Sequence, residues 1–359
     1  MTELKQVTFT PEVLERIAPD VSLQRHLAIG IRPNLRYFHE FKSIEFGNSS
    51  QIQQSSANVI ASSILKSGST TVINSITLSI VEDLYGGAKL QDYATIYPQV
   101  EILRGRSGAP TDEEMILSQD LFESFRRCRV IPSSNLRITN VGIAVKDDES
   151  GAEEIIYPDL DETQWQLANL SNMHDKAFSF VLHSHIKIYS KQVSTNSLFD
   201  LCFASCLKAL RELKLPRCYV DDTISTKISI RSRKSNARGT VDSNRGTLML
   251  DCRDEMRYKL ELNASANTVS SNFGVIKKET AKDQDIEMED GEGAAAAVVM
   301  LTDLEGEAEE SSVLSRISII NSAETINKIS LVSDGVIDLE TLKQAIDASQ
   351  KRAEFSESL

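Results

Sequence analysis

Long apolar runs are missing from this chain. No stretch approaches the roughly 18–20 residues that a membrane-spanning helix needs, so neither a membrane helix nor a membrane partner is expected. The opening Met1–Gln6 has no basic segment followed by an apolar one, so no secretory leader is expected. Cysteine is sparse: Cys128, Cys202, Cys206, Cys218 and Cys252 are scattered and odd in number. That argues for free thiols in a reducing compartment rather than a disulfide framework. No Cys-x-x-Cys pair, Gly-x-Ser-x-Gly turn or Walker-type loop occurs, so those zinc, serine-hydrolase and P-loop chemistries are not expected. No cofactor is expected.

The 359 residues suffice for one large domain or two ordinary ones. The net charge of −13 looks wrong for a nucleic-acid partner, but it is unevenly placed. Between Glu279 and Glu310 stand twelve acidic residues and one basic residue, Lys282, a net −11 that leaves −2 for the rest. A nearly neutral body can still present a local basic surface to phosphates.

Periodicity predicts the elements. Thr10-Pro11 opens a short helix, and a second runs from Ser22 to Gly30. Asn58–Leu65 and Thr70–Ile80, separated by Lys66-Ser-Gly-Ser69, read as a hairpin. Tyr93–Leu103 is a strand that Pro98 makes an edge or breaks. Thr111-Asp-Glu-Glu114 is a capping box before a helix whose Leu117, Leu121, Phe125 and Cys128 share one face. Leu136–Val145 and Ala177–Tyr189 read as strands. Thr195–Leu213 reads as a long helix with an apolar stripe through Leu198, Leu201, Cys202, Ala209 and Leu210. Strands are expected at Arg217–Asp221, Thr226–Ser232, Gly246–Asp251, Tyr258–Asn263, Thr268–Ile276, Ser315–Asn321 and Lys328–Ser333, and a last helix at Asp338–Arg352. Lys277–Glu310 is acidic and rich in Gly and Ala, so it is expected to be a disordered loop between strands. The order is α+β rather than a regular β-α alternation.

Four segments, taken in order, resemble the RNase PH family, specifically the ring subunits of the eukaryotic exosome. Arg32-Pro-Asn-Leu-Arg36 is similar to the family's Arg-x-Asp-Gly-Arg, with Asn34 and Leu35 in place of Asp-Gly. Ser67-Gly-Ser-Thr-Thr-Val-Ile73 looks like its Gly-x-Thr-x-Val hairpin. Asn196-Ser-Leu-Phe-Asp-Leu-Cys202 looks like the strand-to-helix passage of the non-catalytic members. Leu248-Met-Leu-Asp251 is similar to the Leu-Asp-Pro strand end, with Cys252 for proline. The resemblance implies an α+β, RNase PH-like fold: a ribosomal protein S5 domain 2-like first half and an RNase PH C-terminal-type second half. It divides the chain into an N-terminal helical extension at 1–30, a first half at 31–215, and a second half at 216–276 and 312–359. The acidic insertion lies at 277–311.

Active relatives hold phosphate with a Gly-Ser-Arg run at a helix N-terminus, where amides and the helix dipole favour an anion and arginine clamps it. Here the matching place, between Tyr189 and Asp200, has no Lys or Arg from Lys191 to Lys208. Relatives also carry acids after the Leu-Asp-Pro strand for metal and proton work. Asp254 and Glu255 stand there, in a different setting. The resemblance therefore implies a non-catalytic member.

Candidate RNA contacts are Arg104 and Arg106, flanking Gly105, and Arg231, Arg233 and Lys234 in a basic run that continues to Arg238; both stretches also read as solvated loops. His183 and His185 face one side of a strand, but no third ligand has a fixed offset, so packing is favoured over metal. The resemblance implies other RNase PH-like subunits as partners in a six-membered ring, S1/KH cap proteins above, a processive hydrolytic nuclease below and RNA through the channel. It also implies a place in nucleus, nucleolus and cytoplasm. The rivals are an active phosphate-dependent 3′-5′ exoribonuclease and a stand-alone RNA-binding module.

Overall fold

The computed structural model describes residues 10–55, 58–83, 92–105, 108–146, 153–160, 177–189, 196–221, 226–231, 238–243, 247–263, 267–278, 298–322, 324–334 and 337–357. Two prolines at helix starts and one left-handed glycine shape the beginning. Pro11 opens α1 (Pro11–Ile17), Pro19 opens α2 (Pro19–Ile29), and Gly30 ends α2 at φ +88°. The second helix thus starts three residues before Ser22.

The first sheet holds β1 (Glu45–Gly47), β2 (Val59–Ser67), β3 (Thr70–Asp83), β4 (Tyr97–Ile102) and the later strand Ala177–Tyr189. Helix α3 (Ser50–Ser55) lies between β1 and β2 in the chain. Gly68, at φ +56°, turns the expected β2–β3 hairpin. The expected strand Tyr93–Leu103 is divided into a bridge at Tyr93–Ala94 and β4. Pro98 is tolerated because β4 is the sheet's edge, parallel to Ala177–Tyr189. Helix α4 (Asp112–Cys128) follows with its capping box formed on both sides.

Leu136–Val145 is not one strand. A 3-10 turn at Ser133–Leu136 and a two-residue strand at Arg137–Ile138, which pairs with Phe178 and Ser179 in the first sheet, precede β5 (Gly142–Lys146), which pairs with β6 (Glu153–Ile156). Then come β7 (Ala177–Tyr189) and α5 (Asn196–Glu212), close to their expected bounds. β8 (Cys218–Asp221) runs parallel to β5 and antiparallel to the later strand Thr247–Leu250. The β5–β8 pairing carries strand hydrogen bonding across the expected boundary at 215/216. β9 (Thr226–Arg231) and β10 (Arg238–Ser243) form a hairpin, and β11 (Thr247–Leu250) closes the second sheet. Of Tyr258–Asn263 only Tyr258–Lys259 is strand.

The third sheet has the order β13-β12-β14-β15, all antiparallel: β12 (Val269–Lys277), β13 (Val298–Thr302), β14 (Val313–Asn321) and β15 (Ile326–Ser333). Helix α6 (Glu307–Ser311) joins β13 to β14, and α7 (Leu339–Glu357) ends the described chain. The expected structureless stretch 277–311 is thereby corrected over 298–311. Val298–Thr302 is apolar enough to pair with β12, and α6 is anchored by the Arg32–Glu309 ion pair; residues 279–297 lie outside the described residues.

Packing makes four layers. α4 and α5 lie between the first and third sheets, and α7 covers the far side of the third. The main core joins Val72, Ile76, Leu182 and Ile186 to Leu121, Phe125, Cys202 and Leu210, with Phe125 and Phe203 stacked at 4.7 Å. Each fully buried Leu or Ile contributes roughly 1.5–3 kcal/mol. Three polar groups inside form one chain: Ser184 Oγ donates to Asn74 Oδ1 (2.8 Å), and Asn74 Nδ2 donates to Cys206 Sγ (3.6 Å). A smaller core sets Leu23 and Leu27 of α2 against Ile276, Leu301 and Leu304.

Candidate nucleic-acid interface and the polar seam behind it

Arg104 lies two residues past the end of β4, beside Gly105, which turns the chain at φ +74°. Its guanidinium lies 3.0 Å from Glu113 in the first turn of α4, both partly exposed. Such a surface pair contributes about 1 kcal/mol or less and opens readily to a phosphate. Arg106 lies outside the described residues. Arg231 ends β9 and stands directly opposite Arg238, the first residue of β10. Arg233 and Lys234 lie outside the described residues.

The place matching the relatives' phosphate clamp, residues 190–195, also lies outside the described residues. What stands behind the start of α5 is described, and it is acidic. Asp200, in the second turn of α5, is buried against β12. Its carboxylate accepts from Ser270 Oγ and from Asn272 Nδ2 (2.7 Å). Burial pushes Asp200 up to about 7, helped by the neighbouring Asp303 carboxylate and opposed by Arg352 and the two hydrogen bonds. Arg352 of α7 reaches Ser270 O (3.0 Å) and lies 3.8 Å from Asp303, with its guanidinium 4.3 Å from the Phe41 ring centre.

The Arg32–Arg36 motif holds the other side of this seam. Arg32, wholly buried, donates from Nε to Glu309 (2.9 Å) and from its other nitrogens to Glu309, Thr302 O and Asp303 O. Arg36 reaches Asp303 O and Glu305, each at 3.0 Å, and Asn34 Nδ2 donates to Glu305 (3.0 Å). Three acids from the stretch expected to be unstructured, Asp303, Glu305 and Glu309, are thus partners of this motif. Proximity in sequence could not reveal this. The signal available was an arginine pair near the start and a run of acids near the end.

Asp251, at the end of β11, is closed off. Tyr157 Oη donates to it at 2.7 Å, and Arg253 grips it through Nη2 (2.8 Å), Nε (3.1 Å) and its backbone N–H (3.0 Å). Burial pushes the carboxyl up, but the Arg253 and Tyr157 hydrogen bonds outweigh it and hold Asp251 at about 2. Asp254 is exposed and pairs with Arg257 at 3.2 Å, and Glu255 is exposed. Arranged so, Asp251 is a structural counter-ion rather than a free base.

His183 and His185 do share a face of β7. His183 packs beside Tyr97 (ring centres 5.8 Å apart), and burial holds His185 below its ordinary value, with His183 and Lys187 adding to the effect. Burial pushes the Cys206 thiol up to about 12 and Cys202 well up, so both stay protonated and unreactive. Among the described residues no group of three or more His, Cys, Asp or Glu is placed to hold a metal.

No protein-family model matches the chain, and no curated protein matches it in sequence. Solved structures do match. A chain of the Archaeoglobus fulgidus exosome with RNA bound to the active site aligns with a TM-score of 0.56 at 14% identity, covering 96% of this chain and 98% of that one. A chain of an archaeal exosome core aligns with a TM-score of 0.52 at 14% identity, covering 97% and 100%. Over nearly its whole length, this chain therefore has the RNase PH-like fold of exosome core subunits.

Proposed function

We propose that this chain is a non-catalytic subunit of an RNA-exosome ring, where it shapes the RNA channel and docks its neighbours. The whole-length likeness to exosome core chains carries the reading. The lost active site rests on three further points. No Lys or Arg stands between Lys191 and Lys208. A buried carboxyl, Asp200, sits behind the helix start that would receive phosphate. Asp251 spends its oxygens on Tyr157 and Arg253. The finer resemblance, in Pro11-Glu-Val-Leu14, Ser22-Leu-Gln-Arg-His26 and Thr111-Asp-Glu-Glu-Met115, is to the fungal ring subunit named ribosomal RNA-processing protein 43.

In this reading the chain pairs with a different RNase PH-like subunit, and three such pairs close a six-membered ring. S1/KH proteins cap it, a processive hydrolytic nuclease sits below, and RNA passes through the channel. The assembly processes ribosomal RNA and degrades messenger and noncoding RNA in nucleus, nucleolus and cytoplasm. A tagged chain recovered in a ring-sized complex with other RNase PH-like chains is the expected result; recovery as a monomer sinks the proposal. Incubation with 3′-labelled RNA and inorganic phosphate should release no nucleoside diphosphate. Phosphate-dependent release would establish instead an active phosphorolytic enzyme.

A further inference from the structure

A cavity of about 480 Å³ opens at the C-terminal end of α5, between the short strands Arg137–Ile138 and Tyr258–Lys259 and the start of β8. It shares none of its lining residues with the basic stretches at Arg104 and Arg231. The buried Phe180 ring forms part of an apolar floor, and the lining includes three cations, Arg137, Arg217 and Lys259, beside Tyr258, which is 38% exposed. Glu261 is the one carboxylate lining it among the described residues.

The three cations are not equally committed. Arg217 Nη1 is 2.8 Å from Asp159, and its guanidinium lies 5.0 Å from the Tyr157 ring centre, so it is held in place with other N–H groups to spare. Arg137 and Lys259 make no ion pair among the described residues. Uncompensated cations around an apolar floor attract a ligand with both an anion and a flat hydrophobic part. The volume lies within the roughly 300–1,000 Å³ usual for small-ligand pockets. A phenol beside cations suits a base joined to a phosphate, because every base has a π-face to stack. A run of peptide carboxylates has no such face to bury.

We infer that this cavity seats one nucleotide of a single-stranded RNA, the phosphate against Arg137 and Lys259 and the base against Tyr258. The choice of RNA rests on the ring reading above; the nucleotide chemistry rests on the cavity alone.

The test is fluorescence anisotropy of a labelled oligouridylate titrated with the full chain over a range of salt. The double variant Arg137→Glu/Lys259→Glu should bind about tenfold or more weakly and flatten the salt slope by roughly 0.7, the value for one phosphate of a single strand no longer neutralised. Tyr258→Ala should bind roughly tenfold more weakly with the slope kept. Arg137 and Lys259 are exposed, so the double variant should keep the wild-type circular dichroism spectrum and melting point. Unchanged binding in the double variant, or no binding by the wild type, overturns the proposal. So does a poly-glutamate peptide that binds the wild type, loses affinity in the double variant and finds no oligouridylate competitor. An oligothymidylate bound as tightly as oligouridylate overturns the assignment to RNA. Failure of the ring reading shows differently, as a tagged chain recovered alone, and leaves a mapped nucleotide site standing.

Discussion

Arg32 and Glu309 meet 277 residues apart in the chain, both shut off from solvent, with Arg32 Nε 2.9 Å from Oε1. The pair ties the segment after α2 to α6. Removing one partner leaves a buried charge without its counter-ion, so Glu309→Ala should cost about 3–5 kcal/mol in urea unfolding. Combining it with Arg32→Met should recover part of that loss, with a coupling of roughly 0.5–3 kcal/mol. Strict additivity of the two substitutions would show that the pair is not the tie described.

Leu35 stands where the related motif has glycine, and it adopts φ +66°. A left-handed conformation costs a β-carbon-bearing residue about 1–2 kcal/mol, and Leu35 is 80% exposed, so its side chain repays little through packing. Glycine removes that strain but is more flexible when unfolded, by up to about 1 kcal/mol. Leu35→Gly should therefore leave stability unchanged or raise it by up to about 1 kcal/mol. A melting temperature that falls would show that the leucine side chain makes a contact of its own.

Asp200 provides a pH signature. Its folded pKa, about 7, lies above the roughly 3.9 of an unfolded aspartate, because burial disfavours the charged form. The folded state holds this proton more tightly, so the contribution is full below about pH 4 and is lost as pH rises through 7. Asp200→Asn should flatten stability between those limits, measured as the urea midpoint against pH, since Ser270 can turn its hydroxyl to suit the amide. An undiminished pH dependence in the variant would place the titration elsewhere.

Asp251 works in the opposite sense. Held at about 2, below its unfolded value, it contributes stability that is present above about pH 4 and lost as pH falls through 2. Tyr157→Phe removes one donor to a buried carboxylate and should cost about 1.5 kcal/mol at neutral pH. It should also narrow the gap between stability at pH 6 and at pH 3. A variant with wild-type acid sensitivity would show that Arg253 alone holds the carboxylate.

Gly274 on β12 has no room for a side chain. An added Cβ would lie 2.5 Å from Leu304 Cδ2 and 2.9 Å from its Cγ, and Leu304 is itself buried against α2 residues. Gly274→Ala should destabilise by about 1–3 kcal/mol, the usual range for overpacking. Shortening the neighbour with Leu304→Val should return part of the loss. No such rescue means that the cost comes from the strand backbone.

Much of the architecture could be read before the structure, and the reasons are local. A capping box is complete within four residues, and the Thr111–Glu114 box forms as expected. The β2–β3 hairpin and the long stripes of α4 and α5 follow from period and turn chemistry within about twenty residues. The short strands fared worse. Leu136–Val145 and Tyr258–Asn263 are apolar runs whose pairing partners, not composition, set where strand begins and stops. The candidate RNA contacts were legible only as charge, and charge alone does not say that Arg104 spends itself on Glu113.

Composition was a poor guide where acids were needed far from home. Residues 298–311 looked too acidic to order, because a run of carboxylates repels itself when judged by its neighbours in the chain. Folding brings Arg32, Arg36 and Lys42 to Glu309, Glu305 and Asp303, so the same charges attract. Residue order alone decided which faces of the helices are apolar, where the chain turns, and that no arginine stands at the start of α5. Only the packed chain decided which carboxylates are buried, which are gripped by arginine, and which cations line an open cavity. Those properties depend on distance and dielectric between groups hundreds of residues apart, and local pattern carries no information about either.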